Sequence, residues 1–468
     1  MTGKERFEKY LERWPHPHVP FYLRPHLSRR GFLKLAAAGV SACFLPLRAR
    51  AGGDVVPWAE VETRNTARNV IFVLLAGAPS HIDTFDYKHV EGVTPDSFAP
   101  ETIGGVTWPA GLMPRLAERL GDIAIVRSVY SWALQHSGMQ TWVQIGRNPA
   151  AALGAVAPNI GSIVAIEKEP ERSVDDIFPG FLALNAKRVA GPGYLPSKFA
   201  PLKIQPEPEG LGGTEHPAEG GRVRFEERYA LLESLRAASE RAKALGRPAV
   251  DVEGFYEAAR HLMYNPVVEQ AFAFTEEDSE RYGGTEFGNA CLIAKQVLQA
   301  NRGTRYIQIV FNGWDHHRDI YNPNVAGRLP RMASALDAGL AALIEDLKGS
   351  GLWEETLLVV MGEFGRTVGG LSSQQGRDHH RQQFSVFGGA GVTGGKVIGA
   401  TDPTGAYTVE PGWHRDREVR IEDIEATIYS ALGITWTNVR YDDPFGRGFE
   451  YVPKSKDDVY GPIDELWA

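Results

Sequence analysis

The run Asn-Val-Ile-Phe-Val-Leu-Leu-Ala at residues 69–76 constrains the fold more than any other feature of the chain. It is almost entirely apolar, and the turn signal Gly-Ala-Pro at residues 77–79 ends it. A strand with no polar face must be covered on both sides, which is typical of the parallel sheets in α/β proteins. We therefore expect a buried central strand with helices above and below it.

Four shorter apolar runs predict further strands of the same kind. They lie at residues 123–129, 306–311, 357–361 and 384–387. Between two of them, residues 329–347 carry apolar residues at helical spacing. Strands that alternate with helices predict an α/β fold, with a doubly wound, mostly parallel sheet and helices on both faces.

An insertion is predicted inside this fold. Residues 185–222 are dense in glycine and proline without helical or strand periodicity, so we expect an excursion over the surface. Two or three amphipathic helices follow at residues 225–300, where Cys291 shares a helical face with apolar residues and is expected to be a core thiol. Residues 52–468 are thus predicted to form one domain, with the insertion at about residues 185–300.

An export signal is predicted in the first 51 residues. Ser-Arg-Arg-Gly-Phe-Leu-Lys at residues 28–34 stands before an apolar run, and Ala-Arg-Ala follows at residues 49–51. This order is typical of a twin-arginine signal, which the translocase of that route reads. The run is too short to span a membrane, so a periplasmic or extracellular location is predicted. The alternative is a lipid anchor at Cys43.

The charge balance argues against nucleic acid as a partner. The chain has 50 Lys and Arg against 58 Asp and Glu, and residues 1–51 hold ten of the basic residues but only three of the acidic ones. The remaining chain is strongly acidic, whereas phosphate backbones require a cationic face.

Clusters of histidine and carboxylate lie at the ends of the predicted strands. Ligands bind beyond the carboxyl ends of the strands in an open parallel sheet, so these clusters are expected to meet around one or two divalent cations. A single Asp-His pair in a loop is more often a turn contact, and the repeated pattern carries the prediction. The candidate ligands are His81, Asp83, Asp315, His317, Glu363, Asp378, His379 and His380. Histidine with carboxylate suits zinc or manganese, and carboxylate-rich sets suit calcium or magnesium.

Several of these strings resemble a bacterial family. They are residues 74–86, Gly-Trp-Asp at 313–315, Gly-Glu-Phe-Gly-Arg-Thr at 362–367 and Gly-Arg-Asp-His-His at 376–380. With the export signal, they make the chain similar to the family called domain of unknown function 1501, grouped with the alkaline phosphatase and sulfatase superfamily. The resemblance implies an alkaline-phosphatase-like fold and metal-dependent cleavage of sulfate or phosphate esters.

The resemblance also implies roles for individual residues. Asp315 and His317 fall where the superfamily has an Asp and a His on one metal, and His379 or His380 resembles its late histidine ligand. Glu363 keeps a carboxylate where the superfamily pattern reads Asp-His-Gly. Of the neighbouring histidines at positions 316 and 317, we expect His316 to face solvent.

The chain departs from the superfamily pattern at three places. Phe364 replaces a histidine, and Ala76 stands where an Asp is expected, although His81 or Asp83 could reach in from the loop. Ile-Gly-Arg at residues 145–147 echoes the Thr-Gly-Arg that ends the sulfatase nucleophile segment, and counting back puts His136 in the nucleophile's place.

His136 is accordingly a candidate ligand, base or nucleophile, and the neighbouring Ser137 is the candidate hydroxyl substitute. The structural alternative is a hydrogen-bonded histidine beneath Trp132 and Trp142. Arg366 is placed near the ester oxyanion, because a guanidinium can clamp anionic oxygens.

Arg377 is a second candidate clamp. The alternative is that Arg366 and Arg377 only pair with Glu363 and Asp378.

Two functions from different classes remain open. The first is an exported, metal-dependent hydrolase acting on a small-molecule or glycan sulfate or phosphate ester. The second is a catalytically degenerate scaffold that binds a ligand, glycan or partner protein.

Overall fold

The computed structural model describes residues 55–212, 214, 220–237, 259–453 and 460–468, all within one compact unit, Asp54–Ala468. The predicted export signal and Cys43 lie outside the described residues.

Strands and helices alternate along most of the described chain. The strands are β1 (Val55–Pro57), β2 (Asn69–Ala76), β3 (Pro100–Ile103), β4 (Val106–Pro109), β5 (Ile123–Tyr130), β6 (Phe181–Leu184), β7 (Leu202–Ile204), β8 (Tyr306–Asn312), β9 (Thr356–Gly362), β10 (Gly365–Arg366), β11 (His379–His380), β12 (Gln382–Gly388), β13 (Lys396–Ile398), β14 (Ala400–Thr401), β15 (Thr408–Glu410), β16 (Asn438–Arg440) and β17 (Phe449–Glu450). The α-helices are α1 (Pro114–Ala117), α2 (His136–Ile145), α3 (Ile160–Glu167), α4 (Gly221–Ala237), α5 (Pro266–Phe272), α6 (Glu276–Arg281), α7 (Glu286–Ala300), α8 (Leu329–Gly349) and α9 (Ile421–Ala431).

The central sheet has eight strands in the order β13-β5-β12-β9-β2-β8-β6-β7. Every neighbouring pair is parallel except those of β12, which runs antiparallel to both β5 and β9. The predicted α/β class with a mostly parallel sheet is therefore confirmed. Because β12 is reversed, its first residue lies at the edge where the other strands end.

Alternate residues of β2 face two separate hydrophobic cores. Ile71, Val73 and Leu75 pack in one core, whose helices include α7 and α8. Val70, Phe72 and Leu74 pack in the other, which takes in α3 and α9. All eight residues of β2 are buried. The strand has no polar face in the sequence because both of its faces are covered by packed elements.

One short strand inside the predicted insertion differs from the sequence expectation. β7 was not predicted, because three residues inside a Gly- and Pro-rich stretch leave too short a pattern to detect. It nevertheless pairs in parallel with β6 and forms one edge of the sheet, so this part of the predicted surface excursion is wrong. Helix α7 buries Cys291 completely in the core, as expected.

Glu422, in the first turn of α9, ties that helix to α2. Its carboxylate accepts hydrogen bonds from the indole N–H groups of Trp132, at 3.0 and 3.1 Å, and Trp142, at 3.0 Å. The two indoles stack with their centroids 6.1 Å apart. Trp132 precedes α2 and Trp142 lies within it, so this contact fixes the helix that begins at His136.

Burial raises the pKa of Glu422 to about 7 from its ordinary value of 4.5, although the two indole donors oppose the change. Between these two pH values only the unfolded chain loses the proton, so the free energy of unfolding falls as pH rises. One pKa unit is worth about 1.4 kcal/mol, and the loss is therefore on the order of 3 kcal/mol.

Glu422→Gln should remove this pH dependence, because the amide oxygen still accepts from an indole but never ionises. We expect the variant to gain on the order of 3 kcal/mol over the wild type between pH 5 and pH 8, measured by urea unfolding of metal-free protein. Glu354→Gln, at an exposed glutamate, serves as the control. A stability difference that stays constant with pH would contradict the buried ionisation.

Candidate metal centre

Four residues from three separate segments meet at the carboxyl edge of the sheet. Asp315 and His317 follow β8, and His379 directly precedes the reversed strand β12. His136 opens helix α2 six residues after β5 ends. Their ligand atoms, one from each residue, lie within 4.8 Å of one another.

The distances inside this cluster suit a small four-coordinate cation. Asp315 Oδ1 lies 3.2 Å from His136 Nε2 and 3.0 Å from His317 Nε2. The Nε2 atoms of His317 and His379 are 3.1 Å apart, and His379 Nε2 is 3.8 Å from Asp315 Oδ1. Ligands about 2.0–2.1 Å from a tetrahedral zinc ion stand roughly 3.3 Å apart, a spacing that these four distances approach.

Each imidazole is oriented by an acceptor on its other nitrogen. His136 Nδ1 contacts Glu363 Oε1 at 2.7 Å, and His317 Nδ1 contacts Asp378 Oδ1 at 2.9 Å. His379 Nδ1 lies 2.8 Å from the backbone carbonyl oxygen of Leu134. A carbonyl or an ionised carboxylate can only accept, so each Nδ1 carries the proton and each Nε2 lone pair faces the cluster.

The surroundings favour the metal-binding protonation state of His379 and Asp315 but oppose that of His136. Burial lowers the pKa of His379 below its ordinary value, which favours the neutral imidazole that metals require. Burial acts to raise the pKa of Asp315, but the hydrogen bond and charge of Arg366, with His136 and His317, outweigh it and lower that pKa. The hydrogen bond to Glu363 is the main reason that the pKa of His136 is raised.

Arg366 anchors Asp315 to the loop that follows β2. Its buried guanidinium donates to Asp315 Oδ1 at 2.5 Å, to the carbonyl of Gly77 and, at 2.8 Å, to that of Ala78. Its Nη1 donates to the carbonyl of Arg377 at 3.0 Å and lies 3.3 Å from His317 Nε2. The carboxylate that Arg366 contacts is thus Asp315, and neither Glu363 nor Asp378 pairs with it as the sequence alternative expected.

Glu363 lies behind the cluster instead of in it. Its side chain is fully buried, and Oε1 accepts from His136 Nδ1, from the backbone N–H of Gly77 at 2.9 Å and from Gln140 at 3.0 Å. Its Oε2 has no hydrogen-bond partner among the described residues. Asp378 plays the corresponding part for His317, with a side chain that is 70% exposed.

His81 and Asp83 do not reach the cluster, contrary to the sequence expectation. Asp83 is fully buried and needs a countercharge, which Arg377 supplies at 2.9 Å, and Tyr321 donates to its other oxygen at 2.8 Å. His81 Nε2 bonds the carbonyl of Gly405 at 2.8 Å, and burial lowers the pKa of this histidine to about 4. Both residues therefore serve the packing of the loop after β2.

The structure distinguishes the neighbouring histidines in two places, with His317 in the cluster as predicted. His316, expected in solvent, is fully buried, whereas His317 lines the cluster. His380 accepts the backbone N–H of Gln382 and lies apart from the cluster, which only His379 joins. Successive side chains of an extended segment point in opposite directions, and the sequence does not say which one points inward.

The two proposed nucleophile positions separate in the structure. His136 belongs to the metal-binding cluster, and its ring contacts Phe364 and His379 with centroids 4.8 and 4.4 Å away. Ser137 is exposed, and its hydroxyl accepts from Gln135 at 2.5 Å without joining the cluster. The sequence already allowed a ligand role for His136, but its contact with Glu363 was not foreseen.

The chain belongs to the family described as a protein of unknown function, DUF1501, whose model matches residues 67–458. This confirms the family resemblance. Comparison with curated protein sequences gives no match.

Solved structures with a similar arrangement include three at low sequence identity. A protein of the alkaline phosphatase superfamily from Vibrio parahaemolyticus is 11% identical, with 82% of this chain and 69% of that one covered and a TM-score of 0.37. A sulfatase from Pseudoalteromonas sp. is 12% identical, with 86% and 72% covered and a TM-score of 0.39. A phosphonate monoester hydrolase of Agrobacterium radiobacter is 11% identical, with 86% and 77% covered and a TM-score of 0.38. None is similar enough to transfer an activity or a site residue.

Alanine at His379 and at His380 gives a matched test of the ligand set. His379→Ala is expected to lose stoichiometric zinc because it removes a ligand atom, whereas His380→Ala should retain about one equivalent per chain. Elemental analysis after dialysis measures both, and added zinc should raise the melting temperature of only the His380 variant. Equal zinc content in the two variants would contradict this cluster.

Glu363→Gln should weaken zinc binding about 10–100-fold, because the neutral amide holds His136 less firmly in its metal-binding tautomer. Competition with a chromophoric chelator measures the affinity. Ser137→Ala is the control and should bind zinc as tightly as the wild type. The same affinity in both variants would show that Glu363 does not support the metal.

Proposed function

We propose that the protein is an exported, metal-dependent hydrolase of phosphate or sulfate esters. One observation carries the proposal: three imidazole Nε2 atoms and Asp315 Oδ1 converge where α/β sheets bind their ligands. Three nitrogens and one oxygen are a donor set that zinc favours. The segment with Asp315 and His317 also resembles the one in which the alkaline phosphatase and sulfatase superfamily has an Asp and a His on one metal.

In this proposal His136, Asp315, His317 and His379 hold the ion, which polarises an ester oxygen and lowers the pKa of water. The four side chains contribute one negative charge, from Asp315, and Arg366 offsets it at 2.5 Å. A divalent ion held there would attract an anionic ester, because the four ligand side chains neutralise only one of its two charges. Arg366 Nη1, close to His317 Nε2, adds a donor on the same side.

The attacking oxygen in this scheme comes from water. The Ser137 hydroxyl is exposed and bonded to Gln135, and His136, the other candidate nucleophile, serves as a metal ligand in this scheme. Asp315 is the most open of the four ligands, with a side chain 49% exposed, so solvent and substrate reach the cluster from its side. Phe364 covers His136 and His379 and supplies an apolar wall.

Export completes the proposal and is supported by the twin-arginine pattern at residues 28–34. The translocase of that route would be the partner during export, and the periplasm or the cell exterior the final location. No helix in the described ranges combines the length and the apolar character needed to cross a membrane.

The second candidate is a non-catalytic scaffold that binds a ligand, glycan or partner protein. It is favoured by the number of ligands, because four protein side chains complete a tetrahedral shell and closed shells are typical of structural zinc sites. The cluster would then stabilise the sheet edge without turning over an ester.

Turnover by the zinc-loaded protein separates the two candidates. We expect hydrolysis of 4-nitrophenyl phosphate or 4-nitrophenyl sulfate, with kcat/KM reduced on the order of 100-fold or more in Asp315→Ala. His380→Ala is the control and should keep its activity. Stoichiometric zinc without turnover of either ester would overturn the hydrolase and leave the scaffold.

A further inference from the structure

A large cleft adjoins the metal cluster. It measures about 1740 Å³, and its near end is lined by Gln140 and Gly313. Gln140 donates to the Glu363 oxygen that holds His136, and Gly313 stands two residues before Asp315. An ester bound at the cluster therefore has room beside it for a long remainder, since drug-sized ligands fill only about 300–1,000 Å³.

The cleft follows the carboxyl edge of the sheet away from the metal. Asn312, Asn185 and Gln205 line it at the ends of β8, β6 and β7, which are successive neighbours in the sheet. The amides are linked, because Gln205 donates to Asn185 Oδ1 at 3.0 Å and Asn185 donates to the Glu286 carbonyl at 2.8 Å. This row offers hydrogen bonds to a polar chain along several strand widths.

Cations outnumber anions on the cleft wall. Four basic residues, Arg115, Lys187, Arg188 and Arg331, line it against Glu286 and Asp337. The carboxylate of Asp337 is already engaged, because it accepts the backbone N–H groups at the start of α1 at 3.1 and 2.7 Å. The cleft is therefore electropositive in a chain whose formal net charge is −8, and a concave surface concentrates such a field.

Lys187 and Arg188 are the cations on the sheet edge itself. They follow β6, which is the immediate neighbour of β8 in the sheet. The loop after β8 carries Asp315 and His317. Both are exposed, and neither makes an ion pair with any described carboxylate. Strands in a sheet lie about 4.8 Å apart. β6 is two strands from β2 and three from β9, whose following residues Gly77 and Glu363 adjoin the cluster. These cations therefore stand two to three strand widths, roughly 10–15 Å, across the edge from the cluster.

We propose that the substrate is a chain-like ester with a second anionic group on its leaving-group side, bound by Lys187 and Arg188. This inference rests on the proposed hydrolase for the position of the ester. The cleft supplies the length, the amide row supplies hydrogen bonds to the chain, and the unpaired cations supply the charge. The ester and the second anion would lie roughly 10–15 Å apart across the sheet edge.

Binding to metal-free protein tests the cleft separately from hydrolysis. Short dextran sulfate should bind, neutral dextran should not, and Lys187→Ala/Arg188→Ala should weaken binding about tenfold or more at low salt. The matched control is Lys198→Ala/Lys203→Ala, which removes the same charge from exposed positions outside the cleft wall. Fluorescence anisotropy of labelled dextran sulfate gives the affinity.

An equal loss in the two double variants would overturn the proposal, because the attraction would then be general charge. No preference for dextran sulfate over dextran would overturn it as well. Asp315→Ala should abolish hydrolysis but keep dextran sulfate binding, so failure of the hydrolase and failure of the cleft assignment give different results.

Discussion

Three hydrogen bonds donated by imidazole Nδ1 atoms determine what the carboxyl edge of this sheet can bind. The acceptors are Glu363, Asp378 and the carbonyl of Leu134, and each lies on a different segment from the histidine it holds. Because each Nδ1 donates, three Nε2 lone pairs point at one another across distances that would be repulsive without a shared cation or proton. The fold thus gathers three imidazole nitrogens and one carboxylate oxygen in an arrangement that suits a divalent cation.

Buried charges hold this arrangement together. Arg366 joins Asp315 to the loop after β2, and Arg377 joins that same loop to the segment before β12 through Asp83. A fully buried ion that loses its partner costs several kcal/mol, roughly 3–5 kcal/mol in measured cases, so these contacts strongly restrict how the segments can move. The loop after β2 therefore acts as a support for the ligands, although it supplies none of the four.

Much of the fold could be predicted because a buried strand or helix has a recognisable pattern of apolar residues within its own segment. The run at residues 69–76 coincides with β2, and the predicted helix at residues 329–347 corresponds to α8, Leu329–Gly349. β7 was missed because three residues carry too little pattern, and its place at the sheet edge depends on pairing with β6. Of the candidate ligands, Asp315, His317 and His379 lie in the cluster. His81, Asp83 and His380 have other partners.

The sequence by itself determined the α/β class, the strands that end near the site and the residue types available there, because hydrophobic periodicity and strand-end position are local properties. Only the tertiary structure decided which histidine of each adjacent pair turns inward, that Glu363 supports His136 from behind, and that Arg366 pairs with Asp315. Those choices depend on the reversed direction of β12 and on contacts between distant residues, such as His136 and Glu363, 227 positions apart, and His379 and Leu134, 245 positions apart. No local pattern encodes such contacts, since they arise only when distant segments are packed against one sheet edge.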